Sequence, residues 1–226
     1  MADKNILLID DHHVVRRGLI AVLNDFYRNL KFFEAPDDEA ALRILKHQDI
    51  DLIVLDLQLP GIDTIRLIEL ILIRYPQIYI LIYSMLPEAM YGRRVLKAGA
   101  SGFLNKEAPF EEVKKAFDIA LAGKKYMSPQ LVEMLTQSIS NRTTSNPFEK
   151  LSHREFEIIH FFLKGKSISE ISKRLNIKPS TVGTYKSRIF EKLAVSNLFE
   201  LNHLAALYGL NNLSISYQSG DGSRGI

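Results

Sequence analysis

The run Leu52-Ile53-Val54-Leu55 constrains this chain more than any other stretch. It is apolar, it ends on the single carboxylate of Asp56, and Pro60-Gly61 breaks the chain four residues later. A short apolar run bounded by turn signals reads as a strand buried on both faces. Such a strand belongs to a sheet with helices above and below. The carboxyl ends of parallel strands are where open α/β sheets bind their ligands. Asp56 stands at such an end. A plainer reading makes it a cap for the turn before Pro60, so its neighbours have to decide.

The chain supplies four more strands of the same kind. Asn5–Ile9 ends at Asp10-Asp11, Lys31–Ala35 is short, Tyr79–Tyr83 ends at Ser84, and Gly102–Asn105 is closed by Lys106. Helical spacing separates them. Val14, Val15, Gly18, Leu19, Val22, Leu23 and Phe26 form one stripe, and Ala41, Leu42 and Leu45 form another behind a cap at Asp37 or Asp38. Helices are expected from about Thr64 to Tyr75, from Pro87 to Ala98 and from near Pro109 to Ala122, with Gly99 and Gly123 as stops. Five strands alternating with five helices predict a parallel sheet covered on both faces. Right-handed crossovers favour the flavodoxin-like order 2-1-3-4-5. The third helix, with Ile65, Leu67, Ile68, Leu70, Ile71, Leu72 and Ile73, is apolar nearly all round. Either it meets a second surface or its helical assignment is too generous.

Read together, the strand ends place Asp10, Asp11, Asp56, Ser84 and Lys106 along one edge. Each has an ordinary explanation alone: caps for Asp10, Asp11 and Ser84, a solvated lysine for Lys106. Their coincidence at successive strand ends asks for another. Three gathered carboxylates repel one another unless a cation joins them. The chain has no cysteine, so oxygen ligation of Mg²⁺ is expected rather than a soft-metal site. A hydroxyl and an ammonium beside the cluster suit an anionic group such as phosphoryl. These parts imply metal-assisted phosphoryl transfer onto a carboxylate.

The series Asp10-Asp11-His12-His13, Leu55-Asp56-Leu57-Gln58-Leu59-Pro60-Gly61, Ser84 and Gly99-Ala-Ser-Gly-Phe-Leu-Asn-Lys106 resembles the receiver domain of two-component response regulators, over about residues 4–125. The resemblance implies that Asp56 is the phospho-acceptor and that Asp10 and Asp11 hold Mg²⁺ with it. It further implies that Ser84 and Lys106 contact the phosphoryl group, that Phe103 is the switching aromatic, and that a sensor histidine kinase is the donor. Thr64 stands where the family usually has Gly, so the loop after Asp56 is expected to turn differently. Gln58 occupies a variable position that tunes dephosphorylation.

Beyond residue 125 the character changes. Met127–Ile139 reads as one more helix, capped by Ser128 with Pro129 in its first turn. Residues 140–147 are polar and aperiodic, so 126–147 is expected to be a linker carrying a helical segment. Residues 147–213 hold 10 Lys+Arg against 6 Asp+Glu, whereas residues 1–146 hold 18 against 19. The basic surplus lies in the C-terminal third, which hints at nucleic acid.

That third reads as helices only, over 148–213. Ser152 and Glu155 make a capping box, and Ile158, Ile159, Phe162 and Leu163 give its helix an apolar face. Ser167–Leu175 is a second helix, Asn176–Pro179 a tight turn, and Ser180–Leu193 a third helix. On the third, Val182, Ile189 and Leu193 share a side flanked by Tyr185, opposite Ser180, Gly183, Thr184, Ser187, Arg188 and Glu191. Small polar residues and an Arg can approach base edges, while Lys178, Lys186 and Lys192 can reach phosphates. Two helices about a short turn, the second so faced, suggest a helix-turn-helix. The residues Leu151-Ser-His-Arg-Glu-Phe-Glu157, Gly165, Glu170-Ile171, Leu175, Ser180-Thr-Val182, Ile189 and Lys192-Leu193 resemble the DNA-binding domain of the LuxR/NarL type over about 148–210. That implies DNA-facing Thr181, Thr184, Ser187, Arg188 and Lys192, with Gly183 where the family often carries a basic residue. Leu198, Leu201, Leu204, Ala205 and Leu207 predict a last helix completing a four-helix bundle, which by the same resemblance forms the dimer contact on DNA. His153, His160 and His203 lack metal-ligand spacing and read as structural. Residues 214–226 read as a disordered tail.

The expectation is therefore a phosphorylation-controlled transcription regulator of the NarL/FixJ kind and not an enzyme. It would be cytoplasmic, without a membrane segment, pairing as a homodimer on double-stranded DNA. Two rivals stand beside it. One is a regulator gated by a ligand or by dimerisation alone. The other is an aspartate-nucleophile phosphatase, which would want a second acid at position 58, where this chain has Gln58.

Overall fold

The computed structural model describes residues 4–140, 146–208 and 210; the expected tail lies outside them. The chain divides into two compact units, the first ending after Ser140 and the second opening at Asn146 in the described residues.

In the first unit β1 (Lys4–Ile9), β2 (Leu30–Ala35), β3 (Leu52–Leu55), β4 (Tyr79–Ser84) and β5 (Gly102–Asn105) form one parallel sheet of order β2-β1-β3-β4-β5. All four residues of β3 are buried. Helices α1 (His13–Phe26), α2 (Asp38–His47), α3 (Thr64–Arg74), α4 (Glu88–Lys97) and α5 (Phe110–Leu121) connect the strands. The order agrees with the expectation from strand and helix spacing. Register aligns the strand ends: Ile9 pairs with both Ala35 and Leu55, Leu55 with Ile82, and Ser84 with Asn105. The residues that follow each strand therefore emerge along one edge.

Local chemistry fixes the connections. Asp37, rather than Asp38, caps α2 by accepting from the Ala40 amide at 2.7 Å. Gly99 and Gly123 take φ of +106° and +71° where α4 and α5 end. α3 proves to be a genuine helix that buries Thr64, Leu67, Ile68 and Ile71 and leaves Leu70 and Ile73 outside. Position 64 needs no glycine: the buried Thr64 hydroxyl donates to the Leu57 carbonyl at 3.0 Å, and Gly61 supplies the left-handed φ of +75° in this loop.

α6 (Pro129–Ser140) belongs by packing to this first unit. Ser128 caps it, accepting from the Leu131 amide at 3.0 Å while donating to Glu88 at the start of α4. Leu131 is fully buried against Gly92 of α4, where a Cβ would come within 2.8 Å of it. Gly102 likewise admits the Tyr126 backbone as a further parallel bridge. The helix expected inside a linker is thus seated on the sheet domain, and the change between units falls nearer residue 141 than 126. Sequence periodicity identifies a helix but not the surface it lies on.

The second unit is helical in its described residues. A 3₁₀ turn (Pro147–Lys150) leads into α7 (His153–Leu163), α8 (Ile168–Leu175), α9 (Pro179–Leu193) and α10 (Leu198–Leu207). The Ser152–Glu155 capping box is present at α7. Ser167 and Glu170 form a second one at α8, with the same Ser-x-x-Glu signature. Asn176 takes the left-handed conformation (φ 50°) that turns α8 into α9.

Candidate functional site

The sheet edge gathers the acidic residues as the strand ends predict. Asp10 follows β1 and Asp56 follows β3, and both are buried. Lys106 lies between them, its Nζ 2.6 Å from Asp10 Oδ2 and 2.8 Å from Asp56 Oδ2. Ser84 Oγ donates to the other Asp56 oxygen, Oδ1, at 2.7 Å, and the Gln58 amide reaches the same atom at 3.2 Å. Each oxygen of Asp56 thus has a donor supplied by a different loop. Burial alone would depress the Lys106 ammonium, but the Asp56 and Asp10 carboxylates outweigh it and hold its pKa above the ordinary value.

Asp11 projects outward and is exposed. Its Oδ1 lies 2.8 Å from His12 Nδ1, which is also 3.2 Å from Asp10 Oδ1. One ligand atom from each of Asp10, Asp11, His12 and Asp56 can be chosen within 4.8 Å of all the others. The carboxylates among them are hard oxygen donors, a set that fits Mg²⁺. Phe103, on β5, is 1% exposed and points into the core, three residues before Lys106. Tyr83 stands half-buried beside the site with Lys106 Nζ 5.9 Å from its ring centre. Burial raises its pKa, with Lys106 lowering it and Asp10 raising it in turn.

Sequence reasoning passed over Arg16, which is buried on α1 beside Leu19 and Leu23. Its Nη1 donates to the Asp10 carbonyl and its Nε to Glu34 Oε2 at 3.0 Å. The signal was present: an Arg three and seven residues before leucines on the apolar stripe.

In the second unit, α9 buries Val182, Ile189 and Leu193, as its wheel predicts. Lys178, Ser180, Thr184, Ser187 and Arg188 are exposed, and Thr181 is half-buried. No Cβ at Gly183 would meet a neighbour within 4 Å, so a partner can approach the backbone there. The Thr184 and Ser187 hydroxyls donate back to the Ser180 and Gly183 carbonyls at 3.0 and 3.3 Å, which orients their oxygens as acceptors toward solvent. Lys186 lies along the aromatic side instead, its Nζ 5.2 Å from the Phe190 ring centre and 5.9 Å from that of Phe162.

Lys192 also makes an ion pair within the unit. Its Nζ bonds Glu155 Oε2 at 2.6 Å, the carboxylate that closes the α7 capping box through the Ser152 amide at 2.7 Å. Glu155 is buried, which would raise its pKa, yet Lys192 and Ser152 hold it below the usual value. A buried carboxylate needs a cation, so Lys192 ties α9 to α7 while its own side chain stays 41% exposed. His160 is buried as well; desolvation, with the charge of Lys164 adding, pulls its pKa down to about 4. It is a neutral core residue.

Comparison with known proteins agrees with both halves. Residues 6–118 match the model of the response regulator receiver domain, and residues 149–205 that of bacterial regulatory proteins of the luxR family. The response regulator UvrY of Escherichia coli (strain K12) is 33% identical over 209 residues, spanning 92% of this chain and 96% of UvrY. The response regulator GacA of Pseudomonas viridiflava is 32% identical over 210 residues, spanning 92% of this chain and 98% of GacA. RcsB of Salmonella typhimurium has a similar structure, with a TM-score of 0.65 and 26% identity over 92% of this chain and 99% of that one. RcsB bound to promoter rprA in the presence of the phosphomimetic BeF₃⁻ gives a TM-score of 0.61 at 25% identity, over 90% and 98%. The fold and strand-end cluster define a receiver domain joined to a helix-turn-helix. The chain belongs to the two-component response regulators that carry a luxR-family domain.

Proposed function

We propose that the protein takes a phosphoryl group from a sensor histidine kinase onto Asp56 and converts it into DNA binding by α9. The observation that carries this is the pairing of both Asp56 oxygens by separate donors, Ser84 on one and Lys106 on the other. A nucleophile held this way is fixed in direction while Lys106 offsets its charge. One Asp56 oxygen attacks phosphorus, the new O–P bond forming as the donor's P–N bond breaks. Lys106 and the Ser84 hydroxyl then turn to the phosphoryl oxygens, which carry more charge than the carboxylate did. Asp10, Asp11 and Asp56 would hold Mg²⁺, which when bound would supply positive charge against the phosphoryl group. Gln58 offers only its amide to Asp56, so no second acid stands ready to make a phosphatase.

Movement of Ser84 is felt at once in the β4–α4 loop, where the Leu86 amide reaches its hydroxyl at 3.4 Å. Phe103, buried on β5 opposite Ile82 of β4, is the second moving part, and together they bias the receiver between two states. At the far end, Arg188, Thr184, Ser187 and Thr181 face base edges, while Lys178 reaches phosphates and Lys186 does so by swinging off the Phe162 and Phe190 rings. Paired half-site readers call for a homodimer on double-stranded DNA. The solved complexes of RcsB, in which two dimers bind two parallel DNAs in one case, support this reading. Among the described residues no helix is long and apolar enough to cross a membrane, and a DNA-binding role supports a cytoplasmic location.

The test is Asp56→Asn in full-length protein with a phosphodonor such as acetyl phosphate. Labelling should vanish while the fold is retained. Label surviving on that variant would remove Asp56 from the acceptor role, and failure of wild-type protein to bind beryllofluoride with Mg²⁺ would favour a ligand-gated regulator.

A further inference from the structure

We infer that Arg16 is a positioning residue for the metal-binding pair Asp10–Asp11; the inference rests on the assignment of those carboxylates above. The peptide between residues 10 and 11 joins one buried carboxylate to one exposed carboxylate, so its orientation sets where the second points relative to the first. Both sides of Asp10 are held. Its amide donates to the Ala35 carbonyl at 3.2 Å, and its carbonyl accepts from Arg16 Nη1. The His12 amide closes a short turn by donating to Asp10 Oδ1 at 2.7 Å. With the carbonyl pinned inward, the 10–11 peptide cannot rotate, and Asp11 stays on the outer side of the cluster.

Arg16 can do this because it is itself fixed from behind. Its Nε pairs with Glu34 Oε2, while Arg17 Nη2 takes Glu34 Oε1 at 3.2 Å. The Arg16 side chain is only 8% exposed. Glu34 cancels its charge, so Arg16 offers the site little net field and acts through geometry. The guanidinium fork holds two partners in one plane; a lysine is a point donor and can hold only one well. Groups that orient metal ligands from behind typically change metal affinity by about 10–100-fold when lost.

The alternative is a plain tie between α1 and β2, and two full-length variants separate them. Arg16→Lys keeps the charge beside Glu34 but loses the fork on Asp10. Glu34→Gln weakens the ion pair to a neutral hydrogen bond but keeps an oxygen acceptor behind Arg16 Nε, so the Arg16–Asp10 bond stays in place. Mg²⁺ binding is read by calorimetry and Mg²⁺-dependent beryllofluoride uptake by ¹⁹F NMR, with melting of each variant alongside. Arg16→Lys should weaken Mg²⁺ binding about tenfold, and Glu34→Gln should lower the melting temperature with Mg²⁺ affinity within about twofold of wild type. Mg²⁺ affinity unchanged in Arg16→Lys, or lost equally in both variants, overturns the positioning role. If wild-type protein takes up no beryllofluoride, the acceptor-site assignment falls first; if it does and Arg16→Lys matches it, only this inference falls.

Discussion

The receiver site and the recognition helix are built in opposite ways. Asp10, Asp56, Ser84 and Lys106 come from four strand ends spread over almost a hundred residues, and nearly every polar atom among them is satisfied from within. On α9 the polar residues Ser180, Thr184, Ser187 and Arg188 are close neighbours in sequence, and all are exposed. In the first case topology makes the site; in the second a single helix does, and the other helices only hold it. Burial is what lets the receiver site store a charge balance that one phosphoryl group can upset. Exposure would let α9 meet a large polyanion at little cost in desolvation.

The largest effect should therefore come from removing the charge that balances the buried site. Lys106→Met leaves Asp10 and Asp56 buried side by side with no ammonium between them. Breaking a buried pair of this kind costs about 3–5 kcal/mol, and the receiver's melting transition should fall accordingly when no divalent ion is added. Added Mg²⁺, binding the folded state alone, should restore a part of that loss. A variant as stable as wild type in chelator would mean that the cluster is wetter than its burial indicates, and the contrast with α9 would weaken.

The two constructions also differ in how well they show in sequence. The sheet order and the acidic edge follow from strand ends alone, because Asp10, Asp56, Ser84 and Lys106 each close an apolar run and parallel topology leaves one place for them. The face of α9 follows from helical spacing of Val182, Ile189 and Leu193. What spacing does not carry is which of two available partners a long side chain takes. Lys192 lies at the expected edge of α9, yet buried Glu155, 37 residues earlier, claims it. Lys186 leans on Phe162 and Phe190 for the same kind of reason. The seating of α6 depends on Gly92 and Gly102, whose missing Cβ atoms matter only once Leu131 and Tyr126 are known to lie against them.

Buried ionisable groups sharpen the comparison further. Those of the receiver are mutually compensated, whereas His160 in the DNA-binding unit is kept neutral by burial, its pKa lowered from 6.5 to about 4. The unfolded chain takes up a proton near pH 6.5 and the folded unit does so only near 4. Stability should thus fall as pH drops below about 6.5 and level off near 4, with a loss of about 3 kcal/mol at most. Denaturant unfolding of the C-terminal unit across that range measures it, and His160→Phe should flatten the curve. A curve equally steep in that variant would assign the loss to other groups.

Arg188→Ala tests the exposed construction directly. Loss of a base-edge contact should cost about 1–3 kcal/mol in DNA affinity and relax preference at one base pair, with no change in unfolding. Weakening that is uniform over all sequences would instead make Arg188 a phosphate contact.

The smallest effects separate two lysines of the same helix-turn-helix. Both are exposed, Lys178 at the start of α9 and Lys192 at its end, but Lys192 is tied to Glu155. A phosphate contact contributes about one released counterion to the salt dependence of binding, so Lys178→Ala should reduce the slope of log affinity against log salt by about 1 while leaving stability alone. Lys192→Ala should do the reverse: it strands the buried Glu155 carboxylate, lowers the stability of the unit and leaves the salt slope as it was. Unfolding curves and DNA titrations at several salt concentrations on both variants decide it. A reduced slope for Lys192→Ala would show that DNA draws this lysine away from Glu155, and the line between positions that hold α9 and positions that read DNA would have to be redrawn at its C-terminal turn.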